Sequence, residues 1–339
     1  MRKLILLPIL ITLTFSSLFA QDQIFEFEDK ETLTLAFGSC NRQNLEQPLW
    51  QPIMNHNPDL FMFLGDNIYG DTDDMQVLEE KYEVQKNQED YKKLRSEMPV
   101  IGVWDDHDYG KNDAGKEYPY KEESQGLFLD FFDVSEDDKR RDRKGVYSSY
   151  DLNWKSHTIK VILLDARYHR DDLERINRVY QKNEEGAILG EEQWAWLEDQ
   201  LSDEKVSLFI IASGIQFIPE DHDYEKWANF PQERQRLFDL VQEKQPEGTL
   251  FLSGDRHIAE ISSMQVEGLN YPLIDVTSSG LTHVWENAPQ EPNQHRIGKL
   301  VNELNYGLVK IEETENGLRV VSEIRGKDQE LYQIFGMVY

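Results

Sequence analysis

The chain reads as an α/β protein. Short apolar runs of strand length alternate with longer segments in which apolar residues recur at spacings of three and four, and a closing antiparallel hairpin follows. The strand-like runs also end at once in glycine and ligand-type side chains, a pattern that suggests one sheet edge gathering a site.

In chain order, residues 32–37 lead into Gly38-Ser39-Cys40, and 60–64 into Gly65-Asp66-Asn67-Ile68-Tyr69. Residues 100–104 run into Asp105-Asp106-His107-Asp108, and 160–164 into Asp165-Ala166-Arg167. The run 208–212 precedes Ser213-Gly214-Ile215-Gln216, 249–252 opens Ser253-Gly254-Asp255-Arg256-His257, and 273–276 opens Thr277-Ser278-Ser279-Gly280. Helices are predicted over 191–201 and 231–243. The tail hairpin pairs 308–311 with 318–324 through Glu315-Asn316-Gly317, and the charge run 135–144 reads as a solvated loop.

Arg2 and Lys3 stand ahead of an apolar run that ends near Ala20, the pattern of a signal peptide over 1–20. The run is shorter than the roughly 18 residues needed to cross a bilayer. The expected mature chain, 21–339, is thus one exported domain without a membrane span, periplasmic or secreted. A formal net charge of -28 disfavours nucleic acid as a partner, although local cations can reverse the sign at a site. With Cys40 as the sole cysteine, an oxidising compartment would find no intramolecular disulfide to make.

Cys40, Asp66, Tyr69, Asp106, Asp255 and His257 are the residue types of a multi-metal centre. Asp66 and Tyr69 are three apart after a glycine turn, so a carboxylate and a phenol can meet one cation. Phenolate and thiolate favour a highly charged or soft ion, and Fe(III) is the natural choice if Tyr69 and Cys40 bind together. Asp66 is the candidate bridge, because two ions roughly 3.5 to 4 Å apart need one short shared ligand. Asp255 and His257, two apart after a strand, can project to the same side and serve one metal each.

Taken jointly and in order, these motifs resemble those of the alkaline phosphatase D (PhoD-type) metallophosphatases, within the calcineurin-like phosphoesterase superfamily. The resemblance runs from about Leu35 to Gly280. It implies a four-layer metallophosphoesterase sandwich of two mixed β-sheets flanked by helices, without the separate N-terminal β-domain of longer members. By the same resemblance Fe(III) would take Cys40, Asp66, Tyr69 and His257, while Ca(II) would take Asp66, Asp106 and Asp255 with help from Asn112. His107 would stand near the phosphate outside the metal shell, and Arg167 would contact substrate oxygens.

The implied activity is metal-dependent hydrolysis of a small phosphate ester, with hydroxide on the metals attacking phosphorus and His107 protonating the leaving alkoxide. Asp105 or Asp108 is the expected partner of His107, and Asp108 a further oxygen donor for calcium. Gln216 either orients substrate or satisfies backbone groups. Two other readings stay open: a phosphodiesterase or phospholipase D-like enzyme on the same centre, and a non-catalytic, cation-stabilised surface protein.

Overall fold

The computed structural model describes residues 23–286 and 291–339, and the expected leader at 1–20 lies outside them. Two mixed sheets carry the described chain. One has six strands in the order Leu331–Val338, Gly317–Arg325, Tyr306–Thr314, Leu33–Gly38, Leu60–Leu64 and Val100–Val103. The other has eight, ordered Gln23–Glu26, Ser148–Trp154, His157–Leu164, Val206–Ser213, Thr249–Ser253, Leu273–Ser278, Ala259–Met264 and Arg296–Val301. A small hairpin, Arg175–Ile176 with Val179–Tyr180, pairs with neither.

Side chains alternate across each strand, and this decides what the sheets meet. Phe61 and Phe63 turn outward, with Trp50 at 5.4 and 5.8 Å between ring centroids and Tyr91 at 5.8 Å from Phe63. Leu60, Met62 and Leu64 therefore point the other way and share a core with Ile159, Val161 and Leu163 of the second sheet. The neighbours Ile162 and Leu164 join a different cluster with Trp194, Leu197, Leu237 and Phe238, on the helices Glu191–Leu201 and Pro231–Lys244. The order of layers is thus helices, six-stranded sheet, eight-stranded sheet, helices, as expected.

Leu33–Gly38, Leu60–Leu64 and Val100–Val103 run parallel, and so do His157–Leu164, Val206–Ser213, Thr249–Ser253 and Leu273–Ser278. Parallel strands put all their carboxyl ends on one edge. Every polar cluster singled out in the sequence follows one of these ends. Boundaries differ from expectation by up to three residues: 191–201 and 60–64 agree, while the strand expected at 160–164 begins at His157. The tail hairpin forms with Thr314 opposite Gly317. The charge run is less solvated than expected, because Arg140 is buried, held by Asp138 and by the Tyr150 hydroxyl at 3.0 Å. Among the described residues no helix is long and apolar enough to cross a membrane.

Candidate metal centre

The turns that leave these strands are unusual. Cys40, Asp66, Asp255 and His257 all have left-handed backbone, with φ of 59°, 50°, 68° and 53°. Non-glycine residues seldom adopt it, at a cost of order 1–3 kcal/mol each, and such positions concentrate at functional sites. Gly65, at φ +87°, stands where any Cβ would lie 2.4 Å from the Asp105 Cβ, so only glycine lets Asp66 approach.

Among the described residues three groups of ligand-type atoms result, each within 4.8 Å: Cys40, Asp66 and His257; Asp66, Asp106 and His107; Asp105, Asp106 and Asp255. Asp66 belongs to the first two and Asp106 to the last two. The Cys40 Sγ is 3.3 Å from Asp66 Oδ2, and the Tyr69 hydroxyl lies 3.2 Å from the same oxygen and 3.1 Å from His257 Nε2. Ser279 braces the group from below, its Oγ 3.1 Å from Cys40 Sγ while accepting from the His257 backbone N–H at 2.8 Å.

The electrostatics test whether cations fit. Burial pushes the Cys40 thiol up to about 11, and burial with the Asp106 charge pushes Asp255 up to about 7. Burial and then Cys40 raise Asp66 well above the carboxylate range, and its Oδ1 is buried without a hydrogen-bond partner. Buried acids crowded in this way hold protons unless positive charge replaces them. Burial, His283 and His107 push His257 down to about 3, leaving a neutral imidazole free to donate its lone pair. Soft and phenolic donors at one end and carboxylates at the other fit two different ions.

Several assignments need correcting. His107 Nδ1 pairs with Asp71 Oδ1 at 2.7 Å, and neither Asp105 nor Asp108 meets its ring. Asp108 faces away from the cleft: it accepts from the backbone N–H groups of Asp105 at 2.7 Å and Asp66 at 3.2 Å and from the Asn67 side chain, so it shapes the turns and has no oxygen left for calcium. Arg167 is fully buried, 2.6 Å from Asp105 and 2.7 Å from Glu225, and does not line the cleft. Gln216 is also fully buried, donating to Glu260 at 2.9 Å and Thr277 at 2.8 Å. Both are held beneath the cleft by those partners, and neither lines it.

The cleft above the cluster encloses about 300 Å³, and Tyr69, Asp106, His107, Asn112, Asp255 and His257 line it. Three arginines that the sequence did not single out, Arg42, Arg175 and Arg256, line it too. Arg42 stacks on the Tyr69 ring at 4.4 Å, its Nε buried without a partner, and Arg256 pairs with Glu291 at 2.6 Å. Both stand inside or beside quoted motifs, two residues after Cys40 and between Asp255 and His257, but spacing alone does not say which arginine faces open space. A second cavity, of about 290 Å³ beside Arg140, Arg143 and Trp196, holds none of the three ligand groups.

A family model described as PhoD-like phosphatase matches residues 35–288. The chain belongs to the PhoD-like phosphatase family. Among curated members it is similar to alkaline phosphatase D of Bacillus subtilis, 20% identical over an alignment of 288 residues that covers 69% of this chain and 47% of that one. It thus spans less than half the length of that relative. The PhoD-like fold recurs in the structure of PhoD (TM-score 0.73, 16% identical, 91% of this chain and 72% of that one). It recurs in the anchor of the inner membrane complex of Plasmodium (0.60, 12%, 91% and 89%) and in a dimetal phosphatase from Danio rerio (0.51, 13%, 91% and 99%).

Proposed function

We propose that the chain is an exported phosphoric-ester hydrolase whose cluster holds two kinds of cation. The observation that carries this reading is the run of three overlapping ligand groups opening into a cleft with arginines on its wall. Cys40, Tyr69, His257 and Asp66 would hold Fe(III); Asp106, Asp255, Asn112 and the shared Asp66 would hold Ca(II). When bound, such ions neutralise phosphate charge and acidify a water.

The chain's own residues do the rest. Arg42 and Arg256 present guanidinium donors to the non-bridging phosphate oxygens, taking the role first expected of Arg167. His107 carries the proton for the departing alkoxide, and the Asp71 carboxylate on its Nδ1 favours the protonated ring. Its Nδ1 contact with Asp71 leaves Nε2 to face the leaving oxygen. Purified chain stripped of metal, reloaded with iron and calcium and given a panel of mono- and diesters should regain hydrolysis only when both ions are present. Equal activity without any metal would sink the reading.

A further inference from the structure

The cleft does not end at the cluster. Arg175, Tyr224 and Trp285 line it and also line an adjoining hollow, which Asn177, Arg178 and Asp223 complete. The shared wall begins one ring away from a proposed ligand, with Trp285 6.4 Å from His257 between ring centroids and its backbone N–H on the His257 carbonyl at 3.1 Å. Tyr224 meets Trp285 edge to face at 4.7 Å, and Arg256 lies over the Tyr224 ring at 4.1 Å. Two rings at 69° to each other form an apolar corner that can take one more flat ring against either.

Over this corner stands the small hairpin Arg175–Ile176 and Val179–Tyr180, turned through Asn177 and Arg178 at φ of 52° and 72°. Arg175 is engaged with the Tyr180 ring at 4.8 Å and with Asp113 at 3.6 Å. Arg178 has no ion pair among the described residues and is exposed at the mouth of the hollow. An unpaired guanidinium beside an aromatic corner marks a place for a planar ring that carries hydrogen-bond acceptors.

We propose that this hollow is the subsite for the retained alcohol arm of the ester, the one whose bond to phosphorus is not broken, and that it selects arms ending in a planar aromatic ring, such as a nucleoside, with Tyr224 and Trp285 stacking the ring and Arg178 donating to its carbonyl oxygens. This deepens the phosphoesterase reading and rests on it. The test compares two esters with the same leaving group, the p-nitrophenyl ester of thymidine 5′-monophosphate and methyl p-nitrophenyl phosphate, in the metal-loaded protein and its Trp285→Leu and Arg178→Ala variants. Binding of thymidine 5′-monophosphate is measured alongside by calorimetry. Both variants should raise KM for the thymidine ester and weaken thymidine monophosphate binding roughly tenfold or more for Trp285→Leu, the scale of base stacking, and less for Arg178→Ala. Both should leave the methyl ester within about twofold, as expected of groups remote from the reacting atoms. Equal losses on the two esters, or no change in KM and binding for Arg178→Ala and Trp285→Leu alike, would overturn the subsite. Turnover of neither ester, with binding still lost in the variants, would uphold the subsite and remove the hydrolase.

Discussion

Asp105 Oδ1 lies 2.6 Å from Arg167 Nε, and neither side chain exposes any surface. Arg167 continues to Glu225 Oε2 at 2.7 Å, and Arg170 meets the other Glu225 oxygen at 2.9 Å, so two guanidiniums balance two carboxylates beneath the cluster. Removing one partner of a buried pair leaves charge uncompensated, at a cost of about 3–5 kcal/mol. Arg167→Gln should therefore lower stability by that order in denaturant unfolding, where a substrate-binding arginine would chiefly change KM. Unaltered stability with a raised KM would return Arg167 to the substrate.

Arg256→Ala and Arg42→Ala should behave in the opposite sense. Both guanidiniums line the cleft, so KM for a small phosphate ester should rise by roughly tenfold or more while metal content stays intact, the loss expected for a charge-assisted contact. Unchanged KM in both variants would leave the phosphate without a protein contact and count against the cleft as its seat.

Cys40→Ser should sharply lower iron content and turnover and remove any visible charge-transfer band. The thiol is buried and pushed up to about 11 by that burial, so it would ionise at neutral pH only when a cation draws the proton off. Full iron with full turnover in the variant would make Cys40 a packed side chain and nothing more.

Chelation should abolish activity, and calcium should restore it where iron has been retained. Carboxylate oxygens from Asp66, Asp106 and Asp255 suit a hard cation. Restoration by zinc alone would contradict this assignment.

His107→Asn should retain both metals yet lose roughly 10²- to 10⁴-fold in rate, most for alkyl esters and least for nitrophenyl esters, which need little protonation. Asp71→Asn should reproduce part of that dependence, since the 2.7 Å contact fixes the ring. Because His107 also groups with Asp66 and Asp106, loss of a metal in His107→Asn would make it a ligand and cancel the acid role.

The parts of this molecule legible in the sequence were those in which chain order and spatial order coincide. Apolar runs such as 60–64 announced strands, and the residues directly after them announced the edge where donors meet, because parallel strands carry their carboxyl ends together. What spacing could not supply was the direction of a side chain within a turn. Asp105, Asp106, His107 and Asp108 are consecutive, yet the first three join the clusters, Asp105 while also pairing with Arg167, and Asp108 caps the backbone. Asp71 was missed for the same reason: it is five residues beyond Asp66, and only folding brings it to His107. The family resemblance implied a substrate contact for Arg167; the partner that holds it under the cleft, Glu225, is more than fifty residues away in sequence.

Because the left-handed turns at Cys40, Asp66, Asp255 and His257 belong to the main chain, the direction in which each donor projects outlives the donor itself. The frame works as a socket with exchangeable pins. Asp, Asn and His tolerate that backbone region better than most residues, whereas Val or Ile would be refused by it. Adapting the cluster to a cation of different hardness would then require a change of side chain at one or two sockets, with no rerouting of the strands that hold them.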